Sequence, residues 1–167
     1  AKSRTVFTDF TFKWYEKLFT NDIILTAFRN TLVVALVAGV CAVILGTLAA
    51  IGINAMSKKL QSLLLNITYI PMMNPDIVTG ISLSLLFVFV GSKLLGQRNS
   101  LTFWTLLIAH VTFNLPYVIL NVMPKLQQMD RSLTDAAMDL GCTPAQAFFK
   151  VTLHEIMPGI VSGALMA

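Results

Sequence analysis

Charge is scarce in this chain. Asp, Glu, Lys and Arg make up 12% of its 167 residues, against 56% hydrophobic residues and a mean hydropathy of +0.75. A soluble domain of this length carries roughly 25% charged residues, so the composition excludes one and indicates a membrane protein. Cysteine is nearly absent as well. Cys41 lies in an apolar run and Cys142 in a polar one, with neither metal-ligand spacing nor a third sulfur, which argues against a zinc or redox role. The 12 Lys and Arg give a net charge of +4 but form no basic run, so no nucleic-acid tail is expected. No G-x-x-x-x-G-K-[ST] phosphate loop occurs either. Any ATP hydrolysis must therefore belong to a partner, and the chain is read as a non-enzyme with no cofactor and no metal.

What the sequence does contain is a series of long apolar stretches. Residues 30–56, NTLVVALVAGVCAVILGTLAAIGINAM, are long enough at about 1.5 Å per residue to cross a hydrocarbon layer of roughly 30 Å. Gly39, Ala42, Gly46, Ala49 and Ala50 give this span the small residues that let helices approach closely in lipid. A second stretch, 62–91, is broken near Pro71 and Pro75, and a third, 101–123, carries Pro116. Residues 156–167 begin a fourth. Ahead of the first span, residues 1–29 are amphipathic and rich in aromatics, as suits an interfacial segment. The expected fold is all-α, a polytopic transmembrane helical bundle. With no initiator Met and a last run of only about ten residues, the chain is expected to be a fragment.

Two polar features stand out within these spans. Asp76 follows Asn74 and Pro75 near the middle of the second stretch, where a carboxylate costs on the order of 2.5–3.5 kcal/mol and needs a partner or a wet cavity. It suits either a cap on the helix that restarts after Pro75 or a site that holds a cation in transit. In the third stretch His110, Asn114, Tyr117 and Asn121 recur at steps of four, three and four, which places them on one helical face. That face either holds the bundle together by hydrogen bonds or lines a translocation path. An ion-coupled transporter or channel, or an intramembrane enzyme using His110 and Asp76, would use the same residues.

Between the third and fourth stretches, residues 124–155 read as helix, turn, helix. Ser132 with Asp135 has the form of a capping box, and Thr143, Pro144 and Gln146 form a second. Gly141 lies where the first helix must stop. A DNA-reading helix-turn-helix has this shape, but Asp130, Asp135 and Asp139 offset Arg131 and Lys150, and flanking spans would tether it to the bilayer. Counting lysine and arginine leaves topology ambiguous. One side would hold Lys58, Lys59, Lys125, Arg131 and Lys150, the other Lys2, Arg4, Lys13, Lys17, Arg29, Lys93 and Arg98.

Asp135-Ala136-Ala137, Gly141, Phe148 or Phe149, Val151, Leu153 and Pro158 together resemble the EAA loop of binding-protein-dependent ABC importer permeases (type I). Two positions depart from the pattern: Asp135 replaces the usual glutamate, and His154 stands where a proline is usual. His154 reads as a solvated interfacial histidine or as a titrating group. The resemblance extends upstream through TFKWYEKLF, NTL, PMMNPDIVTGISL and AHVTFNLPYVI, in the order of the family's spermidine/putrescine permeases. It implies a multi-pass protein of the bacterial cytoplasmic (inner) membrane in which 57–61 and 124–155 face inward and the 92–100 loop outward. It also implies that Asp135, Ala136, Ala137, Gly141, Phe148, Val151 and Leu153 couple to an ATP-binding ABC subunit. The further partners implied are a second permease subunit, an extracytoplasmic solute-binding protein and membrane lipid. Polyamines fit Asp76, because they are strings of ammonium groups; importers of iron, thiamine, sulfate or amino acids share the architecture. Asn74, Asp76, His110, Asn114, Tyr117 and Asn121 are the candidate path residues.

Overall fold

A computed structural model describes residues 12–93, 96 and 101–167. The expected segment 1–29 and the 92–100 loop therefore lie partly outside the described residues. Helices α1 (Lys13–Thr20) to α5 (Phe103–Gln128) include α2 (Asp22–Asn54), α3 (Lys58–Met73) and α4 (Asp76–Lys93). Then come α6 (Arg131–Asp139), α7 (Pro144–Ala147), a π-helical turn (Phe148–Thr152) and α8 (Leu153–Met166). Among the described residues there is no strand, and α2, α4 and α5 are long and apolar enough to cross a membrane.

The caps explain where the helices begin. α2 starts at Asp22, eight residues ahead of the span read from the sequence at 30–56, because the Asn21 Oδ1 accepts from the Ile23 and Ile24 amides at 3.0 and 3.4 Å. Its 33 residues exceed what the hydrocarbon layer requires. The helix end is set by capping chemistry, which can lie well outside the apolar run.

The stretch read as 62–91 forms two helices. Pro71 is accommodated inside α3, whereas Pro75 ends it. Asn74, the residue before Pro75, has φ −84° and ψ 144°, the extended conformation that a following proline imposes. α4 then starts afresh at Asp76.

α5 is the central element, packed between α2 and α8. The buried side of α2 repeats Ala38, Ala42, Gly46 and Ala50, one small residue per four, so the backbones come close. A Cβ on Gly46 would lie 2.7 Å from the Val118 Cβ. Gly39 has nothing within 4 Å of its would-be Cβ and takes no part in this contact. Val118, Ile119, Val122 and Met123 of α5 meet Ala42, Ala50 and Ile53 of α2 and Ile156 of α8 in the core. α3 leans on the far end of α5, where the buried Gln61 amide approaches the Met123 sulfur at 4.0 Å. α4 touches α5 lightly, leaving Ile77, Ile81, Leu85 and Phe89 exposed.

Candidate functional site

Two sites take shape on this scaffold. The first is an open cleft of about 440 Å³ between α4 and α5, lined by Asp76, Gly80, His110, Asn114 and Tyr117, with Ile77 and Phe113 as its apolar walls. The proline break is what brings Asp76 here. It puts the carboxylate in the first turn of α4, where the helix dipole favours a negative charge. The Val78 and Thr79 amides reach back to the Pro75 carbonyl at 2.9 and 3.3 Å, and Asp76 itself makes no side-chain hydrogen bond among the described residues. The capping bond considered for Asp76 is thus not formed, and both carboxylate oxygens remain available.

Across the cleft, the His110 Nδ1 sits 2.8 Å from the Leu106 carbonyl. A carbonyl only accepts, so Nδ1 carries a proton, which in a neutral imidazole leaves Nε2 as the acceptor. Asn114 and Tyr117 are half-buried and keep their side-chain polar groups free of hydrogen bonds among the described residues. A carboxylate, an amide, a phenol and an imidazole acceptor beside the Phe113 and Tyr117 rings form a site able to take ammonium groups.

Asn121 does not join them. It faces α8, where its Oδ1 accepts from the Ser162 hydroxyl at 2.9 Å while its Nδ2 donates to the Tyr117 carbonyl at 2.8 Å. Asn74 is the exposed C-cap of α3 and is absent from the cleft lining. The polar face read as one stripe therefore divides: its first three members border the cleft and its fourth holds two helices together. Gly80 and Phe113 were not singled out by the sequence reading; Gly80 lies four residues after Asp76, one turn along the same face.

The second site is the two-helix segment. α6 is capped by Asp130, whose Oδ1 accepts from the Ser132 amide at 2.9 Å, so Ser132 lies inside the helix and the Ser132/Asp135 box is not formed. The Ser132 backbone and side-chain hydrogen bonds hold the Asp130 carboxyl below its usual 3.8, partly opposed by desolvation. Gly141 has φ +90°. Its amide binds the Met138 carbonyl at 2.9 Å and that of Cys142 binds Ala137 at 3.1 Å, the paired bonds of a Schellman stop. The Thr143 hydroxyl accepts from the Gln146 amide at 3.3 Å and the Gln146 side chain from the Thr143 amide at 3.0 Å, a complete capping box with Pro144 at the first helical position.

From Pro144 the chain then stays helical through the π turn to Met166. Phe148, Val151 and Leu153 are half-buried along this rod. On α6, Asp135 and Ala136 are exposed and Ala137 half-buried. Leu133, Ala136 and Leu140 fall on one face at steps of three and four, giving a thin apolar strip that ends in Leu140, 88% exposed. Such a strip, with an acidic side chain beside it, suits insertion into a groove.

Comparison with known proteins agrees with this architecture. Residues 42–167 match the family described as binding-protein-dependent transport system inner membrane component. The putrescine transport system permease protein PotI of Escherichia coli K12 is 39% identical over 178 aligned positions, which take in 100% of this chain and 59% of PotI. The spermidine/putrescine transport system permease protein PotC of Haemophilus influenzae is 37% identical, over 95% of this chain and 59% of PotC. A PotC homolog of Mycoplasma genitalium is 30% identical, over 84% of this chain and 49% of its own length. The chain thus spans about three-fifths of the length of the first two relatives.

Proposed function

Because this chain belongs to the family of binding-protein-dependent transport system inner membrane components, we propose that it is a permease subunit of an ATP-driven ABC importer for polyamines. In this reading it works in a bacterial cytoplasmic membrane with a second permease subunit, ATP-binding subunits and an extracytoplasmic solute-binding protein. Segments 57–61 and 124–155 face inward. α6 presents Asp135, Ala136 and its thin apolar strip to a groove of the ATP-binding subunit. The energy of ATP hydrolysis on that partner reaches the spans through this segment.

The observation that carries the substrate class is the unbonded carboxylate of Asp76 in the α4–α5 cleft, opposite Tyr117, Asn114 and the acceptor nitrogen of His110. An ammonium group leaving water needs a counter-charge and acceptors in place of its hydration. Asp76 supplies the first; Asn114, Tyr117 and the His110 ring supply the second. The methylene segments between the ammonium groups of a polyamine match the apolar walls of Ile77 and Phe113. With a single carboxylate, the cleft holds one ammonium group at a time and lets the chain advance in steps.

Asp76→Asn tests this assignment in the full transporter. It preserves side-chain volume and removes the charge. Loss of a charge-assisted contact worth about 1.5–3 kcal/mol lowers uptake roughly ten- to hundredfold if that contact is made in the rate-limiting step. The loss should be larger for a trication than for a diamine. Normal polyamine uptake by a well-expressed Asp76→Asn variant would remove the charge-based support for a polyamine substrate. Independently, Ala137→Trp should prevent co-purification of the ATP-binding subunit while membrane insertion is retained.

A further inference from the structure

The contact between α5 and α8 is closer than apolar packing requires. A Cβ on Gly159 would stand 2.8 Å from the Asn121 carbonyl oxygen and one on Gly163 would stand 3.1 Å from the Val118 Cα. These two glycines are four apart and bring the helix backbones into direct contact, the geometry of a G-x-x-x-G crossing. Ser162 lies between them in sequence and donates its hydroxyl proton to the Asn121 Oδ1 at 2.9 Å. Asn121 in turn donates through Nδ2 to the carbonyl of Tyr117, one turn along α5, at 2.8 Å. Tyr117 lines the cleft that holds Asp76. At the other end, α8 continues backward through the π turn into α7 and its Thr143 capping box.

A continuous series of helical turns and hydrogen bonds therefore runs from the two-helix segment to the cleft. We infer that the Ser162–Asn121–Tyr117 relay is the clasp through which movement of the α7–α8 rod shifts the cleft-lining face of α5. This inference rests on the proposed roles of the two-helix segment and the cleft. The glycines put the α8 backbone directly against that of α5, so a displacement of α8 is passed to α5 without the slack of intervening side chains. The Ser162 hydrogen bond, with the Asn121 Nδ2 contact to the Met166 sulfur at 3.4 Å, holds the register of α8 on α5 and ties it to the backbone of Tyr117. Asn121 and Ser162 are positioning residues here, and neither lines the cleft.

Ser162→Ala removes the donor and leaves the cleft lining untouched. In the full transporter, reconstituted with its binding protein, the inference predicts unchanged assembly and basal ATPase. Spermidine taken up per ATP hydrolysed should fall roughly three- to tenfold, the range for loss of one interhelical hydrogen bond acting on the coupled step. Ser162→Thr keeps the hydroxyl and should restore the ratio. Asn121→Ala should show the same loss, and the Ser162→Ala/Asn121→Ala double variant should be no worse than Asn121→Ala alone, because both changes break one relay. An unchanged ratio in Ser162→Ala, or additive losses in the double variant, would overturn the clasp.

Asp76→Asn keeps the two readings apart. If it abolishes uptake while Ser162→Ala couples normally, the cleft assignment stands and the clasp fails. If Ser162→Ala uncouples while Asp76→Asn transports normally, the clasp stands and the cleft assignment fails.

Discussion

Replacing Gly159 with alanine adds a single methyl group at the tightest point of the α5–α8 crossing. That carbon would lie 2.8 Å from the Asn121 carbonyl oxygen, 2.9 Å from the Lys125 Cγ and 3.2 Å from the Val122 Cα. Ordinary contact begins at about 3.4 Å, and two of the three neighbours are backbone atoms that cannot rotate away. The helices must separate by several tenths of an ångström, and a gap of 0.5–1 Å forfeits a quarter to a half of each dispersion contact along the crossing. Forced overpacking of this kind costs about 1–3 kcal/mol. Alanine gains about 1 kcal/mol over glycine in intrinsic helix preference, so the expected outcome is a net loss of up to about 2 kcal/mol. Gly39→Ala is the control, because nothing lies within 4 Å of the added carbon, and it should leave stability unchanged or raise it. Thermal unfolding of the two variants in the same detergent checks the difference. Equal midpoints for Gly159→Ala and Gly39→Ala would refute the close α5–α8 contact.

Other expectations follow from the cleft and the loop. Gly80→Leu grows into the open cleft; uptake should fall at least roughly tenfold with no loss of thermal stability, and normal uptake would place the path elsewhere. Gly141→Val forces a branched side chain to φ +90° at a cost of about 1–2 kcal/mol, so limited proteolysis should cut between α6 and α7 faster than in the parent. Asp130, held below its usual 3.8 by its hydrogen bonds to Ser132, stabilises the α6 start above its unfolded pKa, and that contribution is lost as pH falls through the lower folded value. Hydrogen exchange at the Ser132 amide should therefore lose protection below about pH 4. Asp130→Asn retains an acceptor and should abolish that pH dependence.

The helical, membrane-spanning character of the chain was legible because burial in lipid leaves its mark on composition over tens of residues. Helix ends were less so, since each depends on one or two hydrogen bonds. Asn21 starts α2 well before the apolar run because its side chain reaches two amides. Asp130 displaced Ser132 as the cap of α6 for the same reason, and both Asp and Ser are good caps by type. The Thr143 box could be read because proline, threonine and glutamine agree there. Pro71 and Pro75 look alike in sequence, yet only the second sits where the chain also turns extended at Asn74. The glycine pair 159 and 163 has the spacing of a close-approach motif, but spacing alone does not say which helix it meets. Its partner surface, Val118 and Asn121, lies some forty residues away in sequence.

The division of the α5 polar face shows where sequence periodicity stops being informative about function. Steps of four, three and four keep His110 to Asn121 aligned along the helix axis, but a helix of this length meets different neighbours along its run. α4 borders α5 as far as Tyr117, and α8 packs on α5 from Val118 to Lys125. An open cleft follows where α4 packs loosely, and a hydrogen-bonded seam where the glycines of α8 pack closely. Spacing identified the face, and the packing of a neighbour against each turn decided its chemistry. Tyr117 and Asn121, one turn apart and joined by a 2.8 Å hydrogen bond, lie on either side of that boundary, so a displacement of α8 has its shortest route to the cleft through them.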